Sequence, residues 1–144
     1  GLTNKGLPWE ESSRIPLIVR APNGVSGSVI DDLVSGIDFF PTCLDYAGCA
    51  SEPSAEGDSF AALTRDASAD PMNRAIYSEM RPWCFVREGD HKLVADKNPF
   101  KPTHLFNLSD DPYELTNLLD EEAVASVQQD LQSKLQSWYA RVTA

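Results

Sequence analysis

The chain has 144 residues, with 22 Asp and Glu against 12 Lys and Arg, a net charge of −10 and a pI near 4.5. That length supports one domain with a real core but is short for a two-domain catalytic machine, so chemistry that needs a large scaffold has only part of it here. The acidity repels phosphate backbones and anionic membrane surfaces, with no basic patch to offset it. General nucleic-acid binding is therefore disfavoured, and 42% hydrophobic content without an apolar run near the roughly 20 residues that cross a bilayer reads as a soluble, folded chain.

The chain begins at Gly1, with no Met, no basic n-region and no apolar signal core, and reads as a piece cut from something longer. Residues 15–20, IPLIVR, are short, apolar and β-branched, and a turn signal follows at Ala21-Pro22-Asn23-Gly24; they predict a buried strand. Val29–Leu33 predicts a second extended piece. From Ile37 to Ala47 the apolar positions Ile37, Phe40, Leu44 and Ala47 have the spacing of one helical face, with Ser35 or Asp38 as N-cap, Pro41 tolerable in the first turn and Gly48 as the stop. Residues 49–73 lose periodicity and read as a long surface connection, relieved only by SFAAL at 59–63.

After that connection the pattern changes to strands: AIYSEM at 75–80, CFVRE at 84–88, HKLVA at 91–95 and HLFNL at 104–108. Short connections favour an antiparallel meander, with the Glu88-Gly89-Asp90 turn closing the clearest hairpin. The C-terminus predicts a helix from Asp120, its expected N-cap, to Val142. Val124, Val127, Leu131, Leu135, Trp138 and Val142 form its apolar stripe, while Gln128, Gln129, Asp130, Gln132 and Lys134 face water.

No complete active site is visible. Cys43, Cys49 and Cys84 include no CxxC pair and no nearby His, which argues against a zinc site and leaves one disulfide or three free thiols open. His91 and His104 fall inside predicted strands and read as half-exposed strand residues. Asp31-Asp32 and Asp110-Asp111 adjoin loops, spaced for solvation or capping. Arg74, Arg81 and Arg87 lie around the strands, where contact with an anionic substrate competes with a solvated sheet face. The block KGLPWEESSRIP, residues 5–16, gathers Lys5, Trp9, Glu10, Glu11 and Arg14 before an expected strand; it reads either as a ligand-binding edge or as a solvated loop whose charges pair with each other.

That block, running into LIVRAP, resembles a segment of the sulfatase family, with a Lys, an aromatic-Glu pair, then Arg-x-Pro and an apolar strand. VSGIDFFPTCLDYAG at 34–48 is similar to the family's helix with Ile-Asp, Pro-Thr and a closing Ala-Gly. HLFNLSDDPYELTNLL at 104–119 is similar to its strand followed by Asp-Pro-x-Glu-x-x-Asn-Leu. The three blocks keep the family's order and, with EGDHKLV between the last two, cover nearly the whole chain.

The resemblance implies an α+β and α/β architecture: residues 1–70 as the end of an alkaline-phosphatase-like catalytic domain, residues 71–144 as a four-stranded antiparallel sheet packed on a long C-terminal helix. It implies a parent enzyme that hydrolyses sulfate esters, with a formylglycine nucleophile and calcium, both outside this chain. No C/S-x-P-x-R motif occurs here, so residues 1–144 alone are expected to be inactive. Lys5 is the residue the resemblance assigns to the active site, as the cation meeting the sulfate ester and its leaving group; Arg81 is a weaker substrate-binding candidate. Asp38, Pro41, Thr42, Asp111, Glu114 and Asn117 match positions expected to act as caps and turn formers. Glu11 and Ser12 stand where many members have Gly-Gly, and His104 where an acidic residue is usual. The implied partners are a sulfated small molecule or glycan and the missing N-terminal catalytic domain, with no nucleic acid and no membrane; homo-oligomerisation stays open, and export of the parent is favoured. The alternatives are a phosphate or phosphonate ester hydrolase of the same superfamily and a non-catalytic structural or glycan-binding module.

Overall fold

From Ile76 onward, side chains that alternate between two apolar faces build an antiparallel meander. In this computed structural model, which describes residues 5–66 and 68–143, the elements in chain order are α1 (Glu10–Ser13), a 3-10 turn (Gly36–Asp38) leading into α2 (Phe39–Tyr46), α3 (Ala61–Arg65), β1 (Ile76–Glu79), β2 (Trp83–Glu88), β3 (His91–Lys97), β4 (Phe100–Asn107), a second 3-10 turn (Glu122–Val124) and α4 (Ala125–Val142). The strands pair in the order β1-β2-β3-β4, all antiparallel. Packing gathers the chain into two units: the N-terminal segment up to Pro16 joins Ala75 and everything after it, and Leu17–Arg74 forms the second.

In the first unit, Cys84 and Val86 of β2, Leu93 and Ala95 of β3 and Leu105 of β4 share one sheet face, where Leu131 and Leu135 of α4 cover them. The opposite face carries Trp83, Phe85, Val94 and Phe106, with Trp9 packed on it. The sheet is therefore buried on both sides. Asn117 finishes its edge: Oδ1 accepts the Leu105 N–H at 3.0 Å, and Nδ2 donates to the Thr103 carbonyl at 3.0 Å. Asp111 closes the preceding turn by accepting the Thr116 N–H at 2.7 Å. The cap and turn roles expected for Asp111 and Asn117 are what the structure has.

Differences from the sequence reading are local. Phe100–Asn107 is longer than the expected 104–108 strand and includes Pro102, which an edge strand tolerates because the missing N–H can face away from the ladder. Asp120 is not the N-cap of the last helix. It sits at φ +67, and its carboxylate and backbone N–H are both bound by the Gln128 side chain, with the 3-10 turn intervening before α4. Val142, at the end of the stripe, is 38% exposed.

The second unit departs further. Residues 15–20 form no strand and are exposed, Ile18 at 95%; residues 29–33 are likewise irregular. A strand needs partners for its N–H and C=O groups, and no described segment pairs with either run. The helix over Phe39–Tyr46 forms as predicted and ends at Gly48 with φ +69, but its inward side is polar. Asp38 and Thr42 are buried, whereas Ile37 and Phe40 are 54% and 55% exposed. Asp38 accepts the Ser35 N–H at 2.6 Å and the Asp58 N–H at 3.0 Å and pairs with Arg74. Thr42 donates to the Asp38 carbonyl at 2.6 Å and accepts the Phe60 N–H at 3.1 Å. The unit is organised around hydrogen bonds more than around an apolar core. At Gly57 a Cβ would lie 2.3 Å from the Ile37 carbonyl oxygen, so only glycine lets the two backbones meet there.

Candidate functional site

The N-terminal segment packs on the sheet of the first unit, and the sheet dictates its path. Lys92 and Val94 of β3 alternate onto the face that carries Trp83, Phe85 and Phe106. An apolar face with a lysine in it must supply that lysine with counter-charges. Glu10, the first residue of α1, provides one: its Oε1 lies 3.0 Å from Lys92 Nζ, while its Oε2 lies 2.8 Å from Arg87 Nη1. Trp9 then lays its ring edge-on to His104 and Phe106, with centroids 5.1 and 5.6 Å away. Pro8 is buried, and the Gly6 carbonyl accepts a hydrogen bond from Trp83 Nε1 at 2.9 Å.

Lys5 follows directly on that bond, exposed to solvent. Trp83 opens β2, and Arg81 stands two residues before it in the β1–β2 turn, also exposed. The Gly6–Trp83 bond thus brings the backbone beside Lys5 to the end of the sheet that carries Arg81. Neither makes an ion pair with another described residue. The other two arginines are engaged internally: Arg74 pairs with Asp38 and Asp58, and Arg87 with Glu10. Of the two readings of residues 5–16, the solvated loop fails at Glu10 and Trp9, which are bound down onto the sheet.

The remaining candidates have structural roles. His104 is half-buried, stacked on Phe106 and 3.0 Å from Thr103 Oγ1 through Nδ1; burial pushes its pKa below the ordinary value. His91 pairs with Glu88 at the β2–β3 turn. Asp32 accepts the Met72 N–H at 2.7 Å, and Asp110 accepts from Asn107 Nδ2 at 2.7 Å. All three cysteines are free, Cys43 and Cys49 exposed and Cys84 buried. Among the described residues no three His, Cys, Asp or Glu side chains converge as a metal site. Asp32 and Asp110 are engaged in local hydrogen bonds and none of the three cysteines lies in a C-x-P-x-R context, so the described residues fit neither a calcium cage nor a formylglycine centre.

Sequence reasoning missed the buried cluster around Lys92. The one local signal was a lysine at an inward strand position; its partners, Glu10 and Glu114, lie 82 positions before it and 22 after it.

The comparisons agree with this architecture. A family model described as "N-sulphoglucosamine sulphohydrolase, C-terminal" matches residues 1–141. Arylsulfatase K of Mus musculus is 32% identical over 154 aligned positions, covering 94% of this chain and 27% of that protein. Among solved structures, BT4656 in complex with its substrate D-glucosamine-2-N,6-O-disulfate has a TM-score of 0.60 at 24% identity, over 72% of this chain and 24% of that one. The phosphonate monoester hydrolase SpPMH from Silicibacter pomeroyi has a TM-score of 0.68 at 22% identity, over 85% and 28%. At those identities the structures report the fold alone. The chain spans about a quarter of the length of the curated relatives it matches.

Proposed function

Because the chain belongs to the N-sulphoglucosamine sulphohydrolase C-terminal family of sulfatases, we propose that its parent protein hydrolyses sulfate esters and that these residues form one wall of the active site. The match along residues 1–141 carries the reading. Lys5 is the cation that meets the sulfate group. Its ammonium is a compact point charge with three donors, suited to neutralising the charge that develops on the sulfuryl and leaving-group oxygens. Arg81 is a second, outer cation that holds the anionic substrate before reaction. The nucleophile and calcium belong to the rest of the parent. The exposed apolar side chains of the second unit, Ile18, Val29, Ile37 and Phe40, are the surface it offers to that catalytic domain. A sulfated sugar is the substrate class we favour, since the matching family model is described as an N-sulphoglucosamine sulphohydrolase and a relative 26% identical over 94% of this chain is an N-acetylglucosamine-6-O-sulfatase.

Lys5→Ala in the full-length parent should lower kcat/KM for an aryl sulfate by about 10²–10³-fold, the loss typical for one donor to a developing oxyanion. Arg81→Ala should raise KM and leave kcat nearly unchanged, as expected for uniform binding. Near-normal kcat/KM in Lys5→Ala would remove Lys5 from the site.

The fold shared with SpPMH sustains a second reading, hydrolysis of phosphate or phosphonate esters. Turnover of an aryl sulfate against the matching phosphate monoester and phosphonate ester separates the two. Residues 1–144 alone should turn over neither, as befits a module without a nucleophile.

A further inference from the structure

The feature that the proposed site leaves unused is a fully buried cation. Lys92 has no exposed surface, and its Nζ lies 3.0 Å from Glu10 Oε1, 2.8 Å from Glu114 Oε1 and 4.5 Å from the centre of the Phe85 ring. The contact to Glu114 Oε1 is an ion pair without hydrogen-bond alignment. The other oxygen, Oε2, accepts the backbone N–H of Glu10 at 2.6 Å. With Arg87 on the far side of Glu10, two cations face two carboxylates and the cluster is neutral. Glu114 reaches it at φ +55, a conformation that a non-glycine residue holds only where its contacts over-determine it.

What this cluster grips is Glu10, through both its side chain and its backbone N–H. With four residues, α1 has almost no stability of its own. Its position therefore comes from what holds its first residue. From Glu10 the chain runs back through Trp9 on the sheet and buried Pro8 to the Gly6–Trp83 bond, and the next residue is Lys5.

We propose that Lys92 is a positioning residue for the reaction: by neutralising Glu10 and Glu114 inside the fold, it fixes the path of residues 6–10 and so the place of the Lys5 ammonium. The inference rests on the reading in which Lys5 meets the sulfate group. Lys92 itself is enclosed and touches no substrate. Correct placement of a reacting or charge-stabilising group is worth large factors, about 10²-fold for roughly 1 Å.

The test uses the full-length parent, with Lys92→Met, which keeps length and removes charge, and Glu10→Gln, which keeps shape. Each is made alone and on the Lys5→Ala background, with circular-dichroism melting to establish folding and kcat and KM measured on an aryl sulfate. The expected result is a drop in kcat of about 10–10²-fold in the folded single variants, and less than about twofold further loss on the Lys5→Ala background, since residues acting as a unit are non-additive. If Lys92→Met does not fold, Glu10→Gln carries the comparison; failure of both to fold would make the cluster purely structural and overturn the proposal. So would near-normal kcat in the folded variants, or a full, additive loss on the Lys5→Ala background. Near-normal activity of Lys5→Ala alone sinks the reading of function along with the inference. A damaged Lys5→Ala beside a normal Lys92→Met sinks the inference only.

Discussion

Cys84 shows how one environment sets a residue's chemistry. It lies on β2 with no exposed surface, and burial pushes its thiol up to about 11, because the thiolate has no water to solvate it. Cys43 and Cys49 are exposed. At pH 8, iodoacetamide should therefore modify two thiols in the native chain and the third only after denaturant is added, as read by intact mass. Rapid modification of all three would mean that the β2 face is open. The spacing of the three cysteines left a disulfide undecided, since positions along a chain do not give Cα separations. Asp38 carries the same lesson: an Asp before a helix is legible as a cap, but its bonds to Asp58 and Arg74, 20 and 36 residues on, are not. The bond from Trp83 Nε1 to the Gly6 carbonyl, 77 residues apart, was likewise not legible.

At the scale of elements, the spacing of the apolar stripe marked the last helix, and short apolar runs between turn signals marked the strands. β2 and β3 are buried on both faces and so read as continuous runs, and the Glu88-Gly89-Asp90 turn between them has Gly89 at φ +54, which glycine adopts without strain. The same reading misjudged the ends of elements, as at Phe100, from which β4 runs on through Pro102, and at Asp120, which Gln128 holds outside the helix. It failed for residues 15–20, because an apolar run signals burial without naming its partner. Within α4 the stripe is graded: Leu131 and Leu135 are buried against the sheet, while Val142 is 38% exposed. Leu135→Ala should destabilise the chain by about 2–5 kcal/mol, the range for a leucine truncated in a well-packed core. Val142→Ala should stay within about 0.5 kcal/mol, as at most surface positions. Urea denaturation of the two variants checks this, and equal losses would show that α4 packs in another rotation.

At the scale of the whole molecule, the first unit is assembled from two stretches of sequence: Trp9 and Glu10 complete a sheet that begins at Ile76. A chain starting at Ala75 loses the ring that covers His104 and Phe106, the Gly6 acceptor of Trp83 and one of the two carboxylates on Lys92. It should melt below the intact chain. Residues 5–16 supplied as a synthetic peptide should raise its melting temperature with concentration, by mass action on the folded state; no shift at millimolar peptide would show that the segment contributes nothing to this unit. The bond from the Glu10 N–H to Glu114 spans 104 residues, and it also sets a clock. At about 5–20 residues per second on the ribosome, the acceptor is made roughly 5–20 s after the donor. For that interval Trp9 is a tethered aromatic without its seat, so a chaperone that recognises exposed apolar residues has a defined window on the nascent chain, and the last step in ordering the segment that bears Lys5 waits for Glu114 to emerge.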